Sequence, residues 1–414
     1  MQVSWRNLYV NKLDMPKLLQ INVTANWGST GKIAEQIGLA AMDAGWESYI
    51  AYSRNSNESK SSLIKIGSKL GMFWHVLQAR LFDSAGLGGV IPTRRLVRKI
   101  NSIKPDIIHL HNIHGYVLNY QLLFKYLNEV KIPVVWTFHD FWAITGHCAF
   151  FYQCEKWRSG CGGCDKINDY PRSFTDNSQR NIKMKQLSYV ESDLYVVTVS
   201  EWMKAFVKVS ILKDSPVFAI PNGIDIGVFR QVPVTVNIDV AKTDYVIMAV
   251  ATKWDARKGL EDYIRLSGLL AEDEKIVLVG LDEQQIKQLP SVIIGLQRTE
   301  TQEKLVELYS RADVVLSLSY AETFGLTIAE SMACGTPVVV YDNTAQSDLV
   351  TEGTGIKVQT GNVQQVYQAV QKIRKSGKEM YAAACRARAE QHFDKDKCFR
   401  KYIELYENIL KNKK

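Results

Sequence analysis

The densest chemistry in the sequence lies at residues 319–337, S-Y-A-E-T-F-G-L-T-I-A-E-S-M-A-C-G-T-P. The apolar run V-V-L-S-L-S ahead of it reads as a strand, and a helix is expected to begin near Gly325. The amides of Phe324, Gly325, Leu326 and Thr327 then point out of the open helix end, a natural seat for a diphosphate. Glu330, in the second turn, offers two acceptor oxygens that suit a ribose diol. Glu322, in the loop before the helix, suits the hydroxyls of a sugar attached to that diphosphate. A second loop, K-W-D-A-R-K at 253–258, supplies Lys253, Arg257 and Lys258 as cations beside a strand candidate.

Three further constellations stand at strand ends. F-H-D at 138–140 offers His139, with Asp140 the weaker candidate, and H-L-H-N-I-H-G at 109–115 offers His109, His111, Asn112 and His114. Gly28-Ser29-Thr30-Gly31-Lys32 follows the first strand and opens a helix. It is not a P-loop, because Asn26 stands at the upstream glycine position and Ile33 replaces the Ser/Thr. Cys148, Cys154, Cys161 and Cys164 form C-x5-C-x6-C-x2-C. Four thiolates so spaced suit a structural zinc, with His147 as a substitute ligand; an iron–sulfur cluster, a redox Cys-x-x-Cys and unligated thiols stay open.

The elements that must position these residues alternate strand and helix patterns, which points to parallel β/α units. The strand candidates are Leu18–Thr24, Ser48–Tyr52, Ile107–Leu110, Val134–Phe138 and Tyr195–Val199, then Tyr245–Ala249, Ile276–Val279, Val314–Ser317 and Thr336–Val340. Each set suffices for one doubly wound sheet, and ligands of such sheets sit beyond the carboxyl ends of the strands. The turn-rich stretch around Pro221-Asn222-Gly223 marks a boundary between two domains. The 414 residues, 46% hydrophobic and 23% charged, describe an ordinary globular chain.

No run approaches a membrane span, and the first 14 residues lack the apolar core of a signal peptide, so a cytoplasmic location is expected. Seven cysteines in such a compartment argue against a disulfide framework. The net charge of +8 is uneven: residues 1–220 carry +9 and residues 221–414 carry −1. Arg94, Arg95, Arg98, Lys99 and Lys104 follow closely on Phe73 and Trp74. A basic, aromatic-bearing surface suits anionic lipid, nucleic acid or an anionic substrate, and a solvated helix face explains it equally well.

The Glu-x7-Glu string with F-G-L-T inside it, followed by A-C-G-T-P-V-V, resembles family 4 of the retaining glycosyltransferases with the GT-B fold. The likeness extends in family order over L-L-Q-I-N-V-T-A-N-W-G-S-T-G-K, H-L-H, F-H-D, V-S-E-W, I-P-N-G-I-D and A-T-K-W-D-A-R-K-G-L, nearly the whole chain from about residue 16. It implies two Rossmann-like doubly wound parallel-sheet domains facing a cleft. Residues 16–220 would bind the acceptor and 221–392 the nucleotide sugar, with 393–414 a helix crossing back and 1–15 an extension.

By the same resemblance, Lys253 and Lys258 grip the donor diphosphate, with Lys253 where the family has an arginine, and Arg257 shares the task. Glu330 takes the ribose, Glu322 the transferred sugar, and Phe324 to Thr327 the sugar and phosphates. His139 lies beside the reacting sugar. Gly28 and Gly31 approach the donor phosphates, and His109, His111 and Asn112 line the acceptor side without a catalytic metal. A second departure is T-A-Q-S-D-L-V at 344–350, where Asp348 replaces a family glutamate. The reading is a retaining transferase that moves a sugar from a nucleoside-diphosphate donor, UDP- or GDP-linked, to a saccharide or polyprenyl-linked acceptor of capsule, exopolysaccharide or O-antigen. It needs no catalytic cofactor and binds no nucleic acid, and its basic first half suits a peripheral membrane contact. The rivals are a GT-B-type epimerase or phosphorylase, a zinc-containing nucleic-acid-binding protein, and a catalytically silent subunit.

Overall fold

The computed structural model describes residues 15–413 apart from 236, 237 and 239, so the expected extension at 1–15 lies almost wholly outside the described residues. The chain divides into two compact units. The first comprises residues up to Val197, Val207–Phe218 and Phe399 onward; the second comprises Thr198–Phe206 and Ala219–Cys398. The sequence places the boundary at 220/221 and the start of the returning helix at 393. In the structure that helix runs Lys395–Lys411 and counts with the first unit from Phe399.

The first unit holds β1 (Lys17–Ile21), β2 (Glu47–Tyr52), β3 (Ser62–Lys65), β4 (Ile107–Leu110), β5 (Val134–Phe138), β6 (Leu194–Thr198) and β7 (Val217–Ala219). They lie in the order β3-β2-β1-β4-β5-β6-β7. β1 pairs in parallel with both β2 and β4, and β4 with β5. The strands β4 and β5 are buried at every position, as expected of parallel strands covered by helices on both faces.

The second unit holds β8 (Tyr245–Val250), β9 (Glu274–Val279), β10 (Ile293–Leu296), β11 (Val314–Ser317), β12 (Val338–Tyr341) and β13 (Gly355–Val358). All five pairings in the order β10-β9-β8-β11-β12-β13 are parallel. Its core joins Ile247, Leu278, Leu316 and Val339 of the sheet to Tyr263, Leu266, Val366 and Val370 of covering helices. Fold class is thus α/β, with two doubly wound parallel sheets.

Strand order decides where chemistry can gather. In each sheet the chain reverses direction of travel between two neighbours, β1 and β4 in one and β8 and β11 in the other. The loops leaving such a pair diverge and open a crevice at their carboxyl ends. Those loops carry the Gly28 and His111 segments in the first unit, and the Lys258 and Glu322 segments in the second. Four strands escaped the sequence reading: β3, β7, β10 and β13. Three boundaries moved by two residues or more: the first strand ends at Ile21 instead of Thr24, β9 starts at Glu274 instead of Ile276, and β12 starts at Val338 instead of Thr336.

Candidate active site

In the second unit, adjacency of β8 and β11 brings their outgoing loops into contact. Gly259 has φ +70°, and a Cβ there would lie 2.3 Å from the carbonyl oxygen of Leu318, so only glycine lets the loops meet. The amide of Tyr320 donates to the carbonyl of Arg257 at 2.9 Å. The pair so positioned is Lys258 and Glu322: Nζ donates to Oε2 at 2.6 Å, and each side chain is 19% exposed. Burial raises the affinity of the Glu322 carboxyl for a proton, but the charge and hydrogen bond of Lys258 and the charge of Arg257 outweigh it. The net direction is downward, so Glu322 is an anion. Its Oε1 also accepts from the amide of Thr323 at 3.1 Å, which aims the carboxylate.

The helix beyond runs Leu326–Ala333 with Gly325 in the left-handed region at φ +106° as its N-cap. No side chain caps it, so the amides of Leu326 and Thr327 keep the positive end of the helix open to an anion. Phe324 is buried and anchors the turn. Glu330 accepts from the hydroxyl of Tyr309 at 2.9 Å, which orients one oxygen. Lys253 stands exposed at a bend of the same loop as Lys258, and Arg257 is half-buried with Nε 3.9 Å from Asp255. Asp348, the departure noted in the sequence, spends Oδ2 on the amide of Trp202 at the start of helix Glu201–Val207.

In the first unit the histidines form a line behind one partly exposed ring. The amide nitrogen of Gln20 donates to the carbonyl of Ala34 at 2.7 Å, which turns its oxygen toward Nε2 of His111 at 3.1 Å. His111 therefore carries its proton on Nε2 and accepts at Nδ1 from Nε2 of His139 at 3.1 Å. Nδ1 of His139 is then its unprotonated nitrogen. Burial pushes His139 down to about 4 and holds His111 well below the ordinary range, so both are neutral at pH 7.

His109 is buried at 0% exposure, its nitrogens bonded to the Tyr406 hydroxyl at 2.6 Å and Thr137 Oγ1 at 2.8 Å. His111 is likewise buried, so these two residues, expected on the acceptor side, are both bonded within the unit. They support His139. Asn112 is half-buried, its amide donating to Asn22 Oδ1 at 3.3 Å. Gly28 opens helix α1 (Gly28–Asp43) at φ +66°, and a Cβ on Gly31 would lie 2.6 Å from Thr24 Oγ1. Asp140 is shared between His114 at 3.3 Å and the amide of Trp142 at 2.9 Å.

Cys148, Cys154, Cys161 and Cys164 are free thiols. Gly160, Cys161, Gly162 and Gly163 all have positive φ, and Cys161 Sγ accepts from the amide of Gly146 at 3.2 Å. His147 is committed to Asp83 at 2.5 Å. Among the described residues no group of three or more His, Cys, Asp or Glu is arranged to hold a metal ion, while Cys154, Cys161 and Cys164 all lie near enough to Cys148 to raise its affinity for a proton. Buried Lys185 pins the loop after His139, donating to the carbonyls of Trp142 at 2.5 Å and Thr145 at 2.8 Å. Its Nζ also lies 3.6 Å from the Trp142 ring centroid.

Sequence reasoning missed Gln20, Tyr309, Tyr402 and Tyr406. Only the strand parity of Gln20, inside an otherwise apolar strand, signalled a buried polar group with a partner to find.

Two family descriptions match the chain: Glycosyltransferase Family 4 over residues 35–228 and Glycosyl transferases group 1 over residues 237–392. WcaC of Escherichia coli (strain K12), named as a colanic acid biosynthesis glycosyl transferase, is 22% identical over 411 residues, covering 95% of this chain and 100% of that one. A Campylobacter jejuni N,N'-diacetylbacillosaminyl-diphospho-undecaprenol alpha-1,3-N-acetylgalactosaminyltransferase is 23% identical over 181 residues, covering 42% of this chain and 48% of that one. Anabaena HepE, solved in complex with UDP, superposes with a TM-score of 0.67 at 15% identity, covering 95% of this chain and 100% of that one. With two matched families tiling the two units, the chain belongs to family 4 of the glycosyltransferases with the GT-B fold.

Proposed function

We propose that this glycosyltransferase moves a sugar from a UDP-sugar, or failing that a GDP-sugar, to a saccharide or polyprenyl-linked saccharide acceptor in surface polysaccharide synthesis, with retention at the anomeric carbon. The observation that carries the reading is the Lys258–Glu322 pair at 2.6 Å, set beside a helix end left open to an anion, with Glu330 one turn further on. Lys258, with Lys253 and Arg257, neutralises the charge that develops on the leaving diphosphate as the bond from the anomeric carbon to the phosphate oxygen breaks. The acceptor hydroxyl attacks on the same face, forms the new glycosidic bond and passes its proton to the departing phosphate. Glu322 fixes the transferred sugar, Glu330 the ribose, and His139 stands beside the reacting sugar.

The WcaC name supports an exopolysaccharide acceptor, the Campylobacter enzyme a diphospho-undecaprenol carrier, and the HepE complex a uridine donor. Among the described residues no helix is long and apolar enough to cross a membrane. The basic first half supports including peripheral contact with the inner face of the cytoplasmic membrane in the reading. It assigns no cofactor to the transfer.

The test is a thermal-shift panel of UDP-, GDP-, ADP- and CMP-sugars on wild type and Glu330→Ala. At a ligand concentration near 100 Kd, the folded state gains about 2.7 kcal/mol, and UDP-sugar is expected to raise the melting temperature. Loss of charge-assisted hydrogen bonds to the ribose costs about 1.5–3 kcal/mol, so Glu330→Ala should bind roughly ten- to a hundredfold more weakly. A variant that responds as wild type does would remove Glu330 from the donor site.

Structural zinc on Cys148, Cys154, Cys161 and Cys164 stays a proposal supported by their spacing alone, and no step of transfer passes through it. Metal analysis is expected to find about one zinc per chain, lost in Cys161→Ser. A fully folded chain free of metal ends that proposal.

A further inference from the structure

Helix α2 (Lys69–Phe82) turns its apolar stripe outward. Leu70, Phe73, Trp74, Leu77 and Leu81 recur at the spacing of one helix face, and they are exposed, with 68% for Leu70, 60% for Phe73 and 59% for Trp74. The residues it buries are His75 and Ala79. A helix on a globular surface normally does the reverse.

The helix is held firmly in this orientation. Ser68 caps its start through the amide of Gly71 at 3.1 Å. At its other end the carbonyls of Arg80, Leu81 and Phe82 accept from Ser173, Phe174, Thr175 and Asn177. That clamp sets Phe174, also exposed, against the end of the stripe.

The charge along this stretch of chain is almost all positive, although the clamp segment carries exposed Asp176. Between residues 59 and 105 stand nine lysines and arginines and a single carboxylate, Asp83, which is buried and engaged by His147. On α3 (Val90–Ile103), Arg94, Arg95, Arg98 and Lys99 are all exposed. Arg95, Arg98 and Lys99 join Lys65, Ile66 and Gly67 around a pocket of about 400 Å³, and Gly67 lies two residues ahead of α2.

We propose that α2 and α3 together form a docking surface for an anionic phospholipid bilayer, the α2 stripe sinking into the interfacial region while a lipid phosphate occupies the Lys65–Arg95–Arg98–Lys99 pocket. The cations of α3 and its pocket select an anionic surface over a neutral one, and the aromatic stripe supplies the apolar burial that a polybasic patch alone lacks. The inference deepens the peripheral contact in the proposed function by naming its surface. It puts the first unit at the membrane, where a polyprenyl-linked acceptor would be met.

Flotation with vesicles of phosphatidylcholine alone, and with about 30% phosphatidylglycerol, tests this on the full chain without donor or acceptor. Wild type should float with the anionic vesicles and stay behind with the neutral ones. Phe73→Ser with Trp74→Ser should lower vesicle partitioning about tenfold or more at an unchanged melting temperature. Arg95→Gln with Arg98→Gln and Lys99→Gln should abolish the preference for anionic lipid. Wild type that ignores anionic vesicles overturns the proposal, as does a double variant that floats like wild type. So does a wild-type dimer that Phe73→Ser with Trp74→Ser splits into monomers, because the stripe would then join two copies. A retained nucleotide thermal shift in these variants separates failure here from failure of the transferase reading.

Discussion

Lys258→Ala is expected to lower kcat/KM for nucleotide release from the donor by about a thousandfold, while the protein stays folded. Removing one preorganised electrostatic partner from a reacting centre typically costs a hundred- to a thousandfold. Here the loss is compounded, because Lys258 does two things. In the proposed transfer it supplies positive charge to the leaving diphosphate, and its 2.6 Å bond keeps Glu322 anionic and aimed. Without it, burial is free to raise the proton affinity of Glu322, which then holds the sugar hydroxyls less well at neutral pH. Glu322→Gln is the companion variant: it removes the anion and keeps the shape. Both should retain the far-ultraviolet circular dichroism of wild type. A Lys258→Ala enzyme within about tenfold of wild type would show that the pair is structural and would move the catalytic charge to Lys253 or Arg257.

Mild acid is expected to unfold the first unit. His75 is buried, and its Nε2 accepts from the amides of Gly86 at 3.2 Å and Gly88 at 3.0 Å, so a proton on that nitrogen breaks both bonds. Burial pushes its pKa down to about 4, and does the same to His139, while His109 and His111 lie well below the ordinary value. The unfolded chain takes these protons near pH 6.5 and the folded chain only near pH 4. Across that window the unfolded state binds more protons, so stability falls as the pH drops and is fully present only above about 6.5. For His75 alone a displacement of that size is about 3 kcal/mol, a large part of the 5–15 kcal/mol that holds a typical domain. Melting temperatures measured between pH 7 and pH 4.5 should drop steeply below pH 6. His75→Gln, which keeps an acceptor but does not titrate, should flatten the slope. A melting temperature that is level from pH 7 to pH 5 would contradict this account.

Much of the site was legible because its chemistry is local. Glu322, Gly325 and Glu330 fall within nine residues, and a strand, a turn and a helix start are written into that stretch by apolar run, glycine and periodicity. The core strands Ile107–Leu110, Val134–Phe138 and Val314–Ser317 were readable to the residue, since parallel strands buried on both faces read as near-continuous apolar runs. The strands that escaped are short and lie toward the edges of their sheets. β3, Ser62–Lys65, is mostly exposed and carries no apolar alternation to mark it.

Sequence alone determined which residues carry charge, where strands give way to loops, and that those loops gather at the carboxyl ends of two parallel sheets. The order of strands decided the rest. Only the adjacency of β8 and β11 brings Lys258 to Glu322 across a sequence separation of 64, and only the packing of the C-terminal helix brings the Tyr406 hydroxyl to His109 across one of 297. Such pairs depend on hydrogen-bond reach in three dimensions, which spacing along the chain does not encode. The direction of the α2 stripe was decided the same way. Leu70, Phe73, Trp74, Leu77 and Leu81 have the same periodicity whether the face they define turns inward or outward, and the neighbours that claim His75 and Ala79 settle it.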